Sequence, residues 1–581
     1  MQMHAFHDSV HSLTKKGPTL PISQEVHATK YRQKDETFED AMLRLSRTLS
    51  DNSAHEYDLF DIFYDQRFLA AGRVQSAIGA SREVTPINCF VSQTIEDNSH
   101  SIMDAAYKAF MTMRLGGGIG YDFSGIRPKY DLIEKLQSQA SGPISFMNIF
   151  DAVCATVSSA GHRRGAQMGV LRVDHPDILE FVKAKRNTDK LVNFNISVAI
   201  TDEFMHCVEH GLMFNLRFNG KVYSHVDARH LWNEIMHSTW DWAEPGVIFV
   251  DRMNDQNNLW YCETIAATNP CAEQPLPPNG ACLLGSFNMV KYITQVSSQR
   301  YLNFEMFRRD IFHVVRAMDN IVDIALYPLD SQKNEEHNKR RMGLGVTGMA
   351  NAIEALGYAY GSPEYIDFQD LILSTLRDTC YIASTYVAEE KGSFPLFDRD
   401  KYVTGKFIRR LPKYIQTLIY EKGIRNSHLT SVAPTGTISL TADNVSSGIE
   451  PVFSYGFDRV INMPDGVRTE RVDDYGVRVF GVHGKTADKC TVDEHVNVLI
   501  HAQRYVDSAV SKTCNVGQNV SFEDFKDIYL KAWRGGAKGC TTFRSNGKRA
   551  GILKAVSEEK SPETDGTACF IDPTTGQKSC G

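Results

Sequence analysis

The sequence predicts an α/β protein, and three observations lead there. Strand-like apolar runs alternate with helical apolar spacing over several hundred residues. The 581 residues, 42% hydrophobic and 23% charged, suffice for a large core and are too apolar for wholesale disorder. No internal repeat at a fixed short period runs along the chain. Periodicity alone does not separate an open sheet from a barrel.

Taken in order, residues 1 to about 35 are polar and aperiodic and read as a loose arm. Helical spacing runs over 38–49, and 67–74 reads as a helix edge and turn. Residues 86–92, around Cys89, read as a short buried strand. Asp97 or Ser99 caps a helix with the stripe Ile102, Ala106, Phe110 and Met113, and Gly116 stops it. The glycine-rich stretch 116–128 follows a helix, so it is not a dinucleotide fingerprint; it reads as a turn that lets backbones approach. A helix is expected over 140–160, then a loop at 161–169 with Arg163, Arg164 and Gly165. An arginine pair between glycines suits phosphate or base contacts, though a solvated basic turn is its commoner meaning. Strands are expected at 170–173, 193–199 and 212–218, and helices at 304–327, 347–356, 365–390 and 522–533. Residues 535–544 read as turn plus strand.

Chemistry concentrates in Asn269-Pro-Cys271-Ala-Glu273-Gln-Pro-Leu-Pro-Pro-Asn-Gly-Ala-Cys282-Leu-Leu-Gly-Ser-Phe-Asn288. Pro275, Pro277 and Pro278 argue against a continuous helix or a central strand, leaving a stiff irregular loop. If extended, it presents Asn269, Cys271 and Glu273 on one face, because alternate side chains share a face. A cysteine is more often a small buried hydrophobe, but a proline-rich loop is a poor place to bury one for packing. Cys271 and Cys282 lack the Cys-x-x-Cys spacing of a zinc site. A second stretch, Pro434-Thr435-Gly436-Thr437-Ile438-Ser439, sets hydroxyls around a glycine. That suits an anion, although a Ser/Thr-rich turn with a local cap is the more frequent meaning. It lacks the Gly-Lys-Ser/Thr ending of an ATPase P-loop. From about residue 546 the chain reads as a mobile polar linker ending in Cys569 and Cys580, a pair placed for thiol exchange.

The formal net charge of −7 argues against a nucleic-acid-coating surface. No apolar run is long enough to span a membrane, and no signal peptide is visible at the N-terminus. Twelve cysteines in a chain without an export signal suggest reduced thiols and a cytoplasmic protein.

These motifs, in this order over roughly residues 67–544, resemble the catalytic chains of ribonucleotide reductases. The resemblance implies a ten-stranded α/β barrel with a central finger loop carrying the radical cysteine. It divides the chain into an N-terminal arm and helical region (1–85), the barrel (86–545) and a flexible tail (546–581). It implies that Cys271 becomes a thiyl radical, that Glu273 is the general base, and that Asn269 hydrogen-bonds the ribose. Cys89 and Cys282 would form the redox disulfide, with Cys569 and Cys580 as the tail reductant. Residues 434–439 would bind substrate phosphates. Arg163, Arg164 and Gly165 would carry the effector signal, with residues 130–145 like the loop that holds the specificity nucleotide.

The radical source follows from what is missing. The metal-dependent class relays its radical through a tyrosine pair where this chain has Thr541-Thr542, and no glycyl-radical motif is present. What remains resembles the adenosylcobalamin-dependent class, with no cobalt ligand assigned. The region before the first matched motif is too short for the family's ATP-binding cone, so no general activity switch is expected. The partners implied are a ribonucleotide (diphosphate favoured), dNTP or ATP effectors, thioredoxin or glutaredoxin, and a second copy of the chain. Two alternatives stay open: a large subunit needing a separate metal-radical subunit, and a nucleotide-binding protein without redox chemistry, in which Cys271 is structural.

Overall fold

A ten-stranded mixed sheet organises the chain in the computed structural model, which describes residues 17–159, 163–164, 166–186, 190–463, 466–517, 520–544, 570–571 and 578–579. We number its strands β1 (Phe68–Ala70), β2 (Cys89–Val91), β3 (Gly118–Asp122), β4 (Gln167–Arg172), β5 (Phe194–Ile200), β6 (Gly246–Phe249), β7 (Ala281–Asn288), β8 (Met342–Thr347), β9 (Thr513–Val516) and β10 (Gly539–Arg544). The order is β1-β7-β2-β3-β4-β5-β6-β10-β9, with β8 also paired to β7. Strands β2 to β6 run parallel to one another. Both β7 and β10 join that block antiparallel, while β8 and β9 run parallel to β7 and β10 respectively. Backbone bridges continue from Leu344 of β8 to Thr430, and from Val432 to Val510 just before β9. Apart from β10, where burial alternates, the strands are largely buried on both faces, so they read as near-continuous apolar runs.

Strand β7 corrects an expectation. All eight of its residues are buried, and it pairs with three strands, so it is central to the sheet. The prolines that argued against a strand stop at Pro278; Ala281-Cys-Leu-Leu-Gly-Ser-Phe-Asn288 contains none. A second correction concerns the arm. Pro21–Tyr31 is a helix with Pro21 in its first turn and Ile22, Ser23, Val26, His27 and Tyr31 buried. Its low amphipathicity hid it, because polar Ser23 and His27 share its buried side with the apolar residues. The expected edge and turn at 67–74 is strand β1 followed by helix Gly72–Ala77.

Most expected helices stand with shifted ends. Ser99–Arg114 is capped by Asn98, whose side chain accepts from Ser101 N, rather than by Asp97 or Ser99. Pro143–Thr156 lies within the expected 140–160. Phe304–Ile324 packs against the 29-residue helix Pro363–Lys391 on the outside of the sheet. Thr347, expected to open a helix, closes β8, and the helix begins at Met349. Met213–Phe218 pairs with Lys221–Asp227 in a ribbon apart from the large sheet. Among the described residues, no helix is long and apolar enough to cross a membrane.

Candidate active site

Asn269, Cys271 and Glu273 occupy a tight hairpin rather than an extended run. Ala267–Thr268 pairs with Pro275–Leu276, and the six residues between them form the loop. Asn269 N donates to Gln274 O at 3.1 Å, and Ala272 N donates to Asn269 O at 3.0 Å. Asn269 Oδ1 accepts from Gln274 N at 3.0 Å. Ala272 sits at φ +67°, a left-handed turn conformation incompatible with the expected extended face. The prolines are compatible with the hairpin because Pro275 stands in a two-stranded ribbon with no further partner strand.

Glycines let the hairpin approach the sheet. A Cβ on Gly120 of β3 would run into Thr268 O, and one on Gly343 of β8 would run into Gln274 Nε2. The base of the loop is anchored on the far side, where Glu273 O accepts from Ala509 N (2.9 Å) and Ser431 Oγ (3.1 Å). Asn269, Cys271 and Glu273 are all buried.

Cys89 and Cys282 are brought together by strand register. Cys282 of β7 stands directly opposite Cys89 of β2, and both are free thiols in hydrogen-bond contact. Burial, then the contact with Cys89, pushes the Cys282 thiol well above its ordinary pKa, so it stays protonated. Asn269 Nδ2 donates to Cys89 Sγ at 3.4 Å, which joins the hairpin to this pair. Cys271 is disulfide-bonded in this structure, so it carries a free thiol only after reduction.

A small cleft of about 40 Å³, partly open to solvent, connects Cys89 and Glu273 to the hydroxyl-rich loop. Cys89 and Glu273 line it together with Ala433, Pro434, Thr435, Thr437 and Ile438. The loop enters helix Gly436–Thr441 through Thr435 at φ +57°. Two of its hydroxyls are already committed: Gly448 N donates to Thr435 Oγ1 (2.7 Å), and Ser439 Oγ donates to Thr435 O (2.5 Å). Thr437 is the hydroxyl residue of the set, besides Thr435, that lines the cleft, beside first-turn N–H groups that have no intrahelical acceptor.

Other cleft residues escaped the sequence reading: Tyr31, Ala71, Gly72, Asn88 and Leu284 to Ser286. Asn88 Oδ1 is buried without a hydrogen-bond partner among the described residues. Its place directly before Cys89 was the available signal. Arg163 and Arg164 pair with Ser159 and Ser158 in a short two-stranded ribbon; Gly165, Cys569 and Cys580 lie outside the described residues. At the chain's end, Phe570–Ile571 pairs with Lys578–Ser579, and the latter lies against Gly436–Thr441. Thr541 and Thr542 stand in β10, where Tyr529 and Thr542 share a 2.8 Å hydroxyl–hydroxyl bond.

The site thus consists of a mixed α/β sheet, a buried Cys-x-Glu hairpin, a cross-strand pair of thiols and a hydroxyl-lined cleft. Residues 87–475 and 478–543 match the ribonucleotide reductase barrel domain, and the chain belongs to the ribonucleotide reductase family. It is 32% identical over 508 residues to a vitamin B12-dependent ribonucleoside-diphosphate reductase of Thermoplasma acidophilum, covering 82% of this chain and 63% of that protein. A protein of the same description from Mycobacterium tuberculosis is 33% identical over 501 residues, covering 81% of this chain and 69% of that one. A vitamin B12-dependent ribonucleotide reductase of Streptomyces clavuligerus is 27% identical, covering 89% of this chain and 62% of that protein. The chain thus spans about two thirds of the length of these relatives.

Proposed function

We propose that this chain reduces ribonucleoside diphosphates to 2′-deoxyribonucleotides for DNA synthesis, as a cytoplasmic, adenosylcobalamin-dependent reductase. The observation that carries the reading is the meeting of Asn269, Cys89 and Cys282 in one contact set beside a cleft shared with Glu273 and Thr437. The bridges Leu344–Thr430 and Val432–Val510 support closure of the sheet into a barrel around the hairpin. The division at residues 85 and 545 follows that barrel.

Each residue has a chemical task. Cys271, once reduced and carrying the unpaired electron, takes the ribose 3′ hydrogen atom; S–H and ribose C–H bonds are close enough in strength for reversal. Glu273 accepts the 3′ hydroxyl proton. Asn269 holds the ribose hydroxyls. The 2′ hydroxyl leaves as water while Cys89 and Cys282 supply two electrons and two protons and become a disulfide. Cys569 and Cys580 then return the pair to thiols by exchange and are themselves reduced by a thioredoxin- or glutaredoxin-type dithiol. The lie of Lys578–Ser579 against Gly436–Thr441 supports such a visit.

Adenosylcobalamin, when bound, supplies the radical that Cys271 receives. Gln274, three residues on, fits a carboxamide-rimmed cofactor: both its side-chain amide atoms are buried without hydrogen-bond partners among the described residues. We assign Gln274 to that contact and name no cobalt ligand. The 130–145 segment and the Arg163–Gly165 loop would read dNTP or ATP effectors. A homodimer is supported by exposed Met103 and Tyr107, one turn apart on Ser99–Arg114.

The deciding experiment is dCDP formation from CDP by the purified chain, without oxygen, with dithiothreitol and effector, with and without adenosylcobalamin. Strict dependence on the cofactor, abolished by Cys271→Ser, is expected. No product from CDP or CTP with the cofactor would overturn the assignment and point to a separate radical-generating subunit.

A further inference from the structure

Glu273 owes its place to a turn that a buried lysine holds. The Glu273 carbonyl accepts from Ala509 N at 2.9 Å and from Ser431 Oγ at 3.1 Å. Ala509 closes the turn 507–509, which is knitted to the segment 429–432. Asp507 N donates to Thr430 Oγ1 at 2.9 Å, Ser508 N donates to Thr430 O at 3.1 Å, and Ala509 O accepts from Val432 N at 3.2 Å.

The same turn meets Lys538, the residue just before β10. Lys538 Nζ donates to Asp507 O at 2.5 Å and to Ser508 O at 2.7 Å. Its own carbonyl accepts from Phe249 N at 2.9 Å, so its backbone is fixed to β6. Simple charge pairing with Asp507 does not account for these contacts. The Asp507 carboxylate takes its hydrogen bonds from Leu429 N (2.8 Å), Thr430 N (3.0 Å) and the Tyr381 hydroxyl (2.8 Å), while the lysine goes to two backbone carbonyls. Lys538 is buried, which pulls its pKa from the ordinary 10.5 down to about 7, with Asp507 opposing the fall and Arg410 adding to it. A space-filling apolar side chain would avoid that cost.

We propose that Lys538 is a positioning residue for Glu273: it fixes the 507–509 turn, whose Ala509 amide holds the Glu273 backbone and so aims the carboxyl at the 3′ hydroxyl. This role rests on the reductase reading, in which Glu273 is the general base. No contact between Lys538 and the nucleotide is invoked; the lysine acts through the turn and the hairpin.

The test compares wild type, Lys538→Met, Ser431→Ala and the double variant by steady-state kinetics on CDP with adenosylcobalamin. Lys538→Met should lower kcat at least about tenfold and change KM less than about twofold. Because Lys538 and Ser431 act on the same carbonyl, the double variant should lose less than the product of the two single losses. Hydrogen–deuterium exchange over 267–276 and 505–511 should quicken about tenfold in Lys538→Met, with helix Phe304–Ile324 exchanging as in wild type. Where Lys538→Met fails to fold, Lys538→Gln, which keeps a donor for one carbonyl, carries the same comparisons with a smaller loss. A wild-type kcat, losses that multiply, unchanged exchange over 267–276, or an equal rise in Phe304–Ile324 would each overturn the proposal. Because exchange is read without turnover, an inactive wild type would count against the reductase reading alone.

Discussion

Asn269 donates its side-chain amide to Cys89 Sγ at 3.4 Å while its Oδ1 accepts from Gln274 N at 3.0 Å. One residue therefore closes the hairpin and touches the Cys89–Cys282 thiol pair. Asp at this position keeps the acceptor for Gln274 and loses the donor to Cys89. Because Asn269 is fully buried, Asn269→Asp also buries a carboxylate, and we expect it to lower Tm as well as kcat, the latter by at least about tenfold. Asn269→Leu should lose both properties. A wild-type kcat in the aspartate variant would show that the amide–thiol contact is incidental.

Much of this site was legible because its chemistry is local in sequence. Asn269, Cys271 and Glu273 lie within five residues, and Thr435 to Ser439 form one run. The shape was less legible. Proline spacing predicted stiffness but not the left-handed turn at Ala272, which the hairpin imposes. The meeting of Cys89 with Cys282 is a matter of strand register across 193 residues, visible beforehand only through family resemblance. Tyr31 was missed because its helix owes its place to tertiary contacts with Asp443 and Leu440 rather than to its own periodicity.

Gly120 tests the insertion of the hairpin. Any side chain there collides with Thr268 O, a backbone atom that cannot swing aside. Gly120→Ala should destabilise the fold by about 1–3 kcal/mol and displace Cys271 enough to remove most turnover. A thermal melt and an activity assay on the same preparation decide it. An alanine variant with normal activity would mean that the hairpin is not fixed by this strand.

The tail cysteines and the barrel cysteines should separate by reductant. Cys569→Ser and Cys580→Ser are expected to remain active with dithiothreitol, which can reach the Cys89–Cys282 disulfide itself, and to lose thioredoxin-driven turnover. Cys282→Ser should fail with both reductants. Equal activity of the tail variants with thioredoxin would remove the tail from the electron path.

Dimerisation should depend on the exposed stripe of Ser99–Arg114. Met103 and Tyr107 are 53% and 62% exposed and stand one turn apart, a pair of large side chains that a partner surface would cover. Tyr107→Glu should shift sedimentation from dimer to monomer and weaken effector response while sparing basal turnover. A wild type that sediments as a monomer at micromolar concentration would defeat the premise.

Glu336 gives a pH signature. It is buried on helix Asp330–Lys339, its Oε1 has no hydrogen-bond partner among the described residues, and it lies within electrostatic reach of Cys282. Burial pushes its carboxyl from the ordinary 4.5 up to about 8, against the opposing pull of Arg341. In this pH range the folded chain keeps a proton that the unfolded chain releases. The stabilisation associated with that proton is full below pH 4.5 and falls as pH rises from about 4.5 to about 8. Glutamine carries no such proton. The Tm of wild type should therefore drop relative to Glu336→Gln between pH 5 and pH 8, by the equivalent of roughly a few kcal/mol. Parallel Tm profiles for the two proteins would mean that Glu336 is ionised in the fold, and that the Cys282 pocket is wetter than its burial implies.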